Sequence, residues 1–477
     1  MKRRRPRVGL FVAAGKWIWD VGNEAAAGSK FRGLSRAVVE AAESIKRKLS
    51  ETMDLAVSQV CLTREDAVKA STRLRELNPD LLVVCSIVWT EDEPVLAILE
   101  QLPDVPVVLW CYQTKQRPPS DMDMMSLFLL SGPVGALQLS GPIKKMGRRY
   151  GVVFGHQDDP QCIKGLSEYA EAARVAADLR YATIGLLPYR CPQMTGTYTD
   201  EFRLRSELGP MLTPVSVMEL KAAVDTISDC DVDAFVRDIK RRFKVLADVG
   251  EDNLRHSSRI SLGLAKLVLT RGFDGLALED LNPELHQLLG VRPCLTVREV
   301  FDYGSVVTME ADICANVAMM IQKQFGEASP MYGEIFYCDM EKNTVVLGHA
   351  GLHDVNGLSR GDDTVTVTTD YEYDQVAKIK GAWQLFEARP GRVTLLSLVD
   401  AKDCFQMTAA MGEVVEQRCP LHISPNMTVR LDVPLRQFFE EACKAGVTQH
   451  WAAVHGDTIG KLAKLSEVTR TRLITIA

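Results

Sequence analysis

A net positive charge, paired cysteines, phosphate-binding loops and long apolar runs are all missing from this chain, and each absence closes a class of function. The formal net charge is −6, so there is no electrostatic case for nucleic acid, whose binders display basic faces. Twelve cysteines are scattered singly, without a C-x-x-C pair. Several, such as Cys85 and Cys111, sit inside apolar strand-like runs, the pattern of reduced core thiols in a cytoplasmic protein. No Walker loop is present and no G-x-G-x-x-G follows a strand, so a nucleotide cofactor has no support. No stretch approaches the ~18 apolar residues that cross a bilayer, and no membrane partner is expected. The opening MKRRRPRVGLFVAAGKW sets basic residues before an apolar run, but that run is at the short end for a signal-peptide core and no small-residue cleavage pattern follows. It reads as a first buried strand. Internal repeats, heptad arrays and low-complexity linkers are absent too.

What is present is ordinary globular material with a clear change of texture. The 477 residues correspond to about three domains at ~150 residues each. In the first third, apolar runs (RVGLFVAA, DLLVVCSIVW, VPVVLWCY) alternate with helical patterns around Leu34 to Leu49 and from Glu93, which predicts βαβ units on a parallel sheet. A helix over 160–180 closes this part. YATIGLLPY opens a second such unit, with helices near 215–226 and 232–246, a long one after Asn253, and a strand at FDGLALED. Beyond about Met331 the runs become short and alternating (TVTVTTDYEY, KIKGAWQLFEA, RVTLLSLV, DCFQMTAAMGEVVE), which suits a mostly antiparallel sheet or barrel. The expected fold is therefore α/β, with two Rossmann-like α/β domains at 1–178 and 179–329 followed by a mostly antiparallel β domain at 330–477.

Four residues of the last third carry chemistry: Glu310, Glu334, His349 and His450. Carboxylate oxygen and imidazole nitrogen suit Mn²⁺, Co²⁺, Fe²⁺ or Zn²⁺, and the lack of a thiolate argues against a closed structural zinc site. In VVTMEADICANVAMMI a strand-like run ends at Glu310 where a helix begins, a good place to present a carboxylate. Glu310 and Asp312 as plain first-turn acids is an equally common arrangement. GEIFYCDMEKNTVVLGHAG reads as a hairpin turning at Lys342-Asn343, so antiparallel pairing brings Glu334 and His349 close. Gly348 and Gly351 flank that histidine and permit close backbone approach. In GVTQHWAAVHGD either His450 or His455 could be a ligand. These positions place the site where the second and third segments meet.

The order and spacing of these motifs resemble the L-fucose isomerase and L-arabinose isomerase family. Met309-Glu310-Ala311-Asp312 is similar to that family's first metal carboxylate, Glu334 in GEIFYCD to the second, LGHAG to its histidine segment, and Gln449-His450 to its His-His pair, with Gln449 standing where the first histidine is expected. MTGTYTDEFRLRSELGP and FEARPGRVTLLSL extend the likeness. The resemblance implies aldose–ketose isomerisation through an enediol. Glu310, Glu334, His349 and His450 would hold a divalent metal, Mn²⁺ with Co²⁺ or Mg²⁺ as alternatives, and Glu310 and Glu334 would also move protons. A monosaccharide substrate and a homo-oligomer, trimer or hexamer, are implied as well. His353, His455, His156 and Trp17 are further candidates for sugar contact, each with a bland reading as a loop or core residue.

Two other classes stay open. A metal-dependent hydrolase or phosphoesterase would also use histidine and carboxylate, but its D-x-H motif and Asn-His step are missing. A catalytically silent sugar-binding protein would share paired α/β domains.

Overall fold

The basic residues before the first apolar run are tied to the fold: Arg4 makes a bidentate pair with Asp80 at 2.7 and 2.8 Å, and Arg7 reaches the same carboxylate at 2.9 Å. The run itself is strand β1 (Arg7–Ala13), buried along six of its seven residues. These observations come from a computed structural model that describes residues 3–23, 25, 28–372, 380–416 and 424–477. The chain divides into two compact units, one of Arg4–Ala177 with Gly460–Thr469 and one of Asp178–Ile459 with Arg470–Ala477.

In the first unit β1 joins β2 (Asp54–Val57), β3 (Leu81–Ser86), β4 (Val107–Tyr112) and β5 (Tyr150–Gly155) in an all-parallel sheet of order β2-β1-β3-β4-β5. Helices Leu34–Leu49, Arg64–Glu76 and Asp92–Gln101 provide the crossovers. The second of these starts with a reciprocal capping box between Thr63 and Asp66, which satisfies two backbone donors at once. The segment Met124–Lys145 is long and apolar enough in composition to cross a membrane, contrary to the sequence expectation. It is nevertheless two helices, Met124–Leu129 and Gly132–Lys145, and the second packs on β3 and β4.

The second unit begins with β6 (Thr183–Leu187), β7 (Met211–Pro214), β8 (Lys244–Val245), β9 (Gly275–Leu278) and β10 (Val306–Thr308). All but β8 form a parallel sheet of order β10-β9-β6-β7. The predicted helices are there with shifted ends, at Val217–Asp225, Asp229–Arg242 and Glu251–Arg271.

The texture change after Met331 marks β11 (Met331–Asp339), β12 (Thr344–Gly348), β13 (Val365–Thr369), β14 (Ala382–Phe386), β15 (Gly391–Asp400), β16 (Phe405–Val414), β17 (Asn426–Leu431), β18 (His450–His455) and β19 (Arg472–Ile476). Six of these pair antiparallel in the circuit β15-β18-β11-β12-β17-β16, and β16 pairs back to β15, which closes a barrel and leaves no free edge in the ring. The last strand adds in parallel to β16, while β14, β13 and β8 make a small separate sheet.

Helix Ile313–Phe325 packs on β9 and β10 and on β15 and β18, so parallel sheet and barrel grip one element. Twelve of its thirteen residues are buried, which explains why ICANVAMMIQKQF has no polar face. The α/β, then antiparallel β, architecture is as the sequence predicts. Helices Leu435–Ala445 and Ile459–Val468 lie among these strands, and the second counts mostly with the first unit, where Lys461 pairs with Glu171 at 2.8 Å.

Candidate metal centre and cavity

The carboxyl end of β10 runs into a tight turn. Glu310 and Ala311 take φ of +57° and +52°, left-handed values that cost a residue with a side chain about 1–3 kcal/mol each. Three hydrogen bonds hold the turn: Glu310 N–H donates to Asp280 Oδ1 at 3.0 Å, Ala311 N–H to Leu278 O at 3.0 Å, and the Thr308 hydroxyl to Asp312 O at 3.1 Å. Asp312 then caps the buried helix, accepting from Ala315 N–H at 2.8 Å. Gly351 (φ +121°) lies so close that a Cβ there would come within 2.6 Å of the Met309 side chain. Only glycine allows the segment after His349 to pass this turn.

Strands β11, β12 and β18 bring in the rest. Glu334 stands opposite His450 on one side and opposite Gly348 on the other. At Gly348 a Cβ would meet Pro425 O at 2.5 Å, and His349 follows as the chain leaves β12. Tyr332 packs against both imidazoles, with ring centroids 4.8 Å from His349 and 4.7 Å from His450, the two imidazoles meet edge-on at 5.5 Å, and the Tyr332 hydroxyl donates to Met309 O at 3.1 Å.

Each imidazole has one nitrogen engaged and the other aimed inward. His349 Nδ1 is 3.0 Å from Ala350 O, and His450 Nδ1 is 2.7 Å from Asp312 Oδ2. These partners put the proton on Nδ1 and leave Nε2 as a lone-pair donor. Nε2 of His349 is 3.6 Å from Glu310 Oε1, and Nε2 of His450 is 3.0 Å from Glu310 Oε2. The His450 atom is buried and makes no hydrogen bond. One carboxylate oxygen and two imidazole nitrogens thus lie within 4.8 Å of one another.

Burial opposes the charge on both Glu310 and His450, yet the pair overrides it. Close contact with His349 and His450 holds the Glu310 carboxyl well below the usual range, while Asp312 and Glu310 lift His450 to about 9. A buried nitrogen that keeps a proton so tightly between two carboxylates is a position that favours a cation. The O, N, N donor set with an orphaned buried nitrogen therefore fits a divalent metal. Glu334 behaves in the opposite way: burial, and the charge of Glu310, raise its pKa against the pull of His349.

Of the four residues singled out in the sequence, Glu310, His349 and His450 converge, and Glu334 borders the same cavity without joining their close cluster. The cavity, about 410 Å³, is lined by these four acids and histidines except His450, and by Tyr371, Glu372 and aromatic neighbours. His353 is buried behind the site: its Nε2 is 2.8 Å from His349 O, and burial pushes its pKa down to about 4. His455 ends β18 with Nε2 2.7 Å from Arg389 O. His156 and Trp17 lie in the first unit, His156 stacked on Tyr112 and half-buried, Trp17 exposed against Phe128. Gln449 places Nε2 3.5 Å from Glu310 Oε2 and 3.1 Å from Met194 sulfur, so it still borders the site.

Sequence reasoning missed the supporting groups. Asp312 was visible as the second acid of Glu310-x-Asp312, but its bond to His450 spans 138 positions. Asp280 and Glu279 had no signal beyond a strand end. Both Glu279 oxygens are buried without a hydrogen-bond partner, and the neighbouring Cys191 thiol donates to Gln193 Oε1 at 3.3 Å. Burial, with the charges of Asp280 and Glu310, raises the Glu279 carboxyl to about 7.

No family model matches the chain. Among curated proteins it is similar to sulfoquinovose isomerase from Priestia aryabhattai, 23% identical over 439 residues that cover 90% of this chain and 94% of that one. It is also similar to L-arabinose isomerase from Nocardioides sp., 26% identical over 379 residues (75% of this chain, 72% of the relative). With L-arabinose isomerase from Arthrobacter sp. it shares 22% identity over 460 residues, 92% and 88% of the two chains.

Proposed function

We propose that this chain, similar over most of its length to sulfoquinovose isomerase and L-arabinose isomerase, interconverts an aldose and its ketose through an enediol, using a divalent cation held by Glu310, His349 and His450 with Glu334 beside them. The observation that carries this reading is the buried His450 Nε2, without a hydrogen bond, facing Glu310 and His349 within one small cluster. Two imidazoles and carboxylate oxygen suit Mn²⁺ or Co²⁺ better than Mg²⁺, which prefers oxygen. When bound, the cation would polarise the sugar carbonyl and hold adjacent oxygens.

The residues divide the remaining work. Glu310 is held ionised and serves as a ligand, whereas Glu334 has a raised pKa and is the group suited to take a proton from one carbon and return it to its neighbour. The proton count balances when the proton that leaves C2 is delivered to C1 and the O2 hydroxyl proton passes to O1, so that C1=O becomes C1–OH as C2–OH becomes C2=O. Asp312 and the Ala350 carbonyl hold the imidazole tautomers, and Tyr332 packs against both rings. The eleven described cysteines are free, which supports a reducing, cytoplasmic setting. A homo-oligomer belongs to this reading through family resemblance.

The test is ketose formation from a panel of aldopentoses, 6-deoxyaldohexoses and sulfoquinovose, with enzyme stripped by chelator and resupplied with Mn²⁺. Metal-dependent turnover that disappears in Glu334→Gln is the expected result. Tight metal binding with no turnover of any aldose would overturn the isomerase reading.

A further inference from the structure

Arg292 is almost wholly buried, and its partners lead to a carboxylate that the chemistry above does not use. Its guanidinium bonds Asp370 at 2.8 and 3.1 Å, Asp280 Oδ2 at 2.9 Å and Glu372 Oε2 at 2.5 Å. The side chains of Asp280 and Asp370 are only 1% and 4% exposed, so two buried carboxylates already offset the single positive charge. A third is not needed to neutralise Arg292. The Glu372 side chain is 54% exposed, and the residue lines the cavity with Glu310, Glu334 and His349.

One Glu372 oxygen is fixed by Arg292, and its backbone N–H donates to Asp370 Oδ1 at 3.2 Å. The carboxylate is therefore aimed, not free to swing with solvent. The same cavity presents Phe336, Tyr337 and Tyr371, each more than a third exposed, and Tyr371 is itself anchored by its hydroxyl to Asp248. Oriented carboxylate acceptors beside open aromatic faces match a molecule with hydroxyl donors and C–H faces. Through Asp280, whose other oxygen accepts the Glu310 N–H, Arg292 also braces the turn that presents Glu310.

We propose that Glu372 is a specificity-determining residue, accepting hydrogen bonds from sugar hydroxyls beyond the reacting carbons while Arg292 holds it in register with Glu310. Its assignment to the far end of an aldose rests on the isomerase reading; polyol binding by itself does not. The reacting end belongs to Glu310 and Glu334, so Glu372 governs which hydroxyl pattern fits and leaves the proton transfer unaltered.

Glu372→Gln and Glu372→Ala in the full chain, reloaded with Mn²⁺, decide the matter. Steady-state kinetics on the aldose that wild type turns over best should show KM raised about tenfold or more with kcat within about threefold, as expected for loss of a hydrogen bond to a charged acceptor. Calorimetry with L-arabinitol and D-galactitol should show alditol affinity falling by a similar factor, with Mn²⁺ affinity unchanged. Unchanged KM and alditol affinity alongside a lowered melting temperature would overturn the proposal and leave Glu372 a structural ion-pair partner. Should wild type bind alditol yet turn over no aldose, the isomerase reading fails, while weaker alditol binding in the variants still supports Glu372. Wild type that binds no alditol overturns the role outright.

Discussion

The five-stranded sheet of the first unit ends at its carboxyl edge in Ala13, Ser86, Tyr112 and Gly155, whereas β9 and β10 of the second unit run on into Glu279-Asp280 and Glu310-Ala311-Asp312. Both sheets are parallel, and in such folds ligands gather outside the carboxyl ends of strands. At the first edge the polar groups satisfy one another: the Ser86 hydroxyl donates to Val88 O at 2.6 Å, the Tyr112 hydroxyl to Gln157 at 2.7 Å, and Trp110 Nε1 to Gly155 O at 3.0 Å. At the second, four acids cluster. Asp280 and Asp312 are engaged, but Glu279 is unpartnered and Glu310 faces two imidazoles. One architecture thus yields a closed hydrogen-bonded edge and a reactive one, because the few residues after each strand set the chemistry.

The sharpest way to break that contrast is Glu310→Gln, which removes the charge that both imidazoles face. It is expected to lower kcat/KM by at least ~10³ through lost metal binding, read from kinetics and Mn²⁺ titration together. Tyr112→Phe at the other edge should leave turnover within about twofold and cost about 1 kcal/mol of stability. A comparable loss of activity from both would abolish the distinction.

Next in size is Glu279. Its carboxyl is raised from 4.5 to about 7 in the folded chain, so the folded state binds the proton more tightly than the unfolded one. Stability is full below about 4.5 and is lost as pH rises through about 7. In metal-free protein, Glu279→Gln should therefore remove this decline and raise stability at pH 8 by on the order of 2–3 kcal/mol, measured by urea unfolding at pH 5 and pH 8. Equal slopes in variant and wild type would show that Glu279 finds partners after all.

Asp312→Asn keeps the cap on the buried helix but replaces the acceptor that orients His450. Mn²⁺ affinity should weaken by about 10- to 100-fold, with less change in melting temperature than in affinity. An unaltered affinity would detach Asp312 from the metal centre.

The smallest effect is a proton linkage. His450 is lifted to about 9 without metal, so a cation must displace a proton below that pH. Mn²⁺ affinity should then rise roughly tenfold per pH unit toward about 9 and level off, with about one proton released per ion at pH 7.5 in calorimetry across buffers. A flat profile would mean that His450 is neutral before metal arrives.

Much of this was readable beforehand. Full apolar runs such as LLVVC and alternating ones such as TVTVTT report burial on two faces or one, so strands and the switch from parallel to antiparallel sheet follow from local pattern. The Lys342-Asn343 turn announces a hairpin because Asn tolerates the left-handed backbone found at Asn343, φ +55°. That helix Ile459–Val468 counts mostly with the first unit is set by packing, which local pattern does not report.

By itself, then, the sequence determined the elements, the hairpin that brings Glu334 beside Gly348 and His349, and the motif order that points to sugar isomerases. Only the tertiary structure decided that His450, not His455, faces Glu310, that Asp312 rather than solvent orients it, and that Arg292 ties Asp280 to Glu372. The reason is physical. Pattern encodes which face of an element is buried within a few residues, whereas a strained turn at Glu310 or a bond between positions 312 and 450 exists only once distant strands register and exclude water from the groups between them.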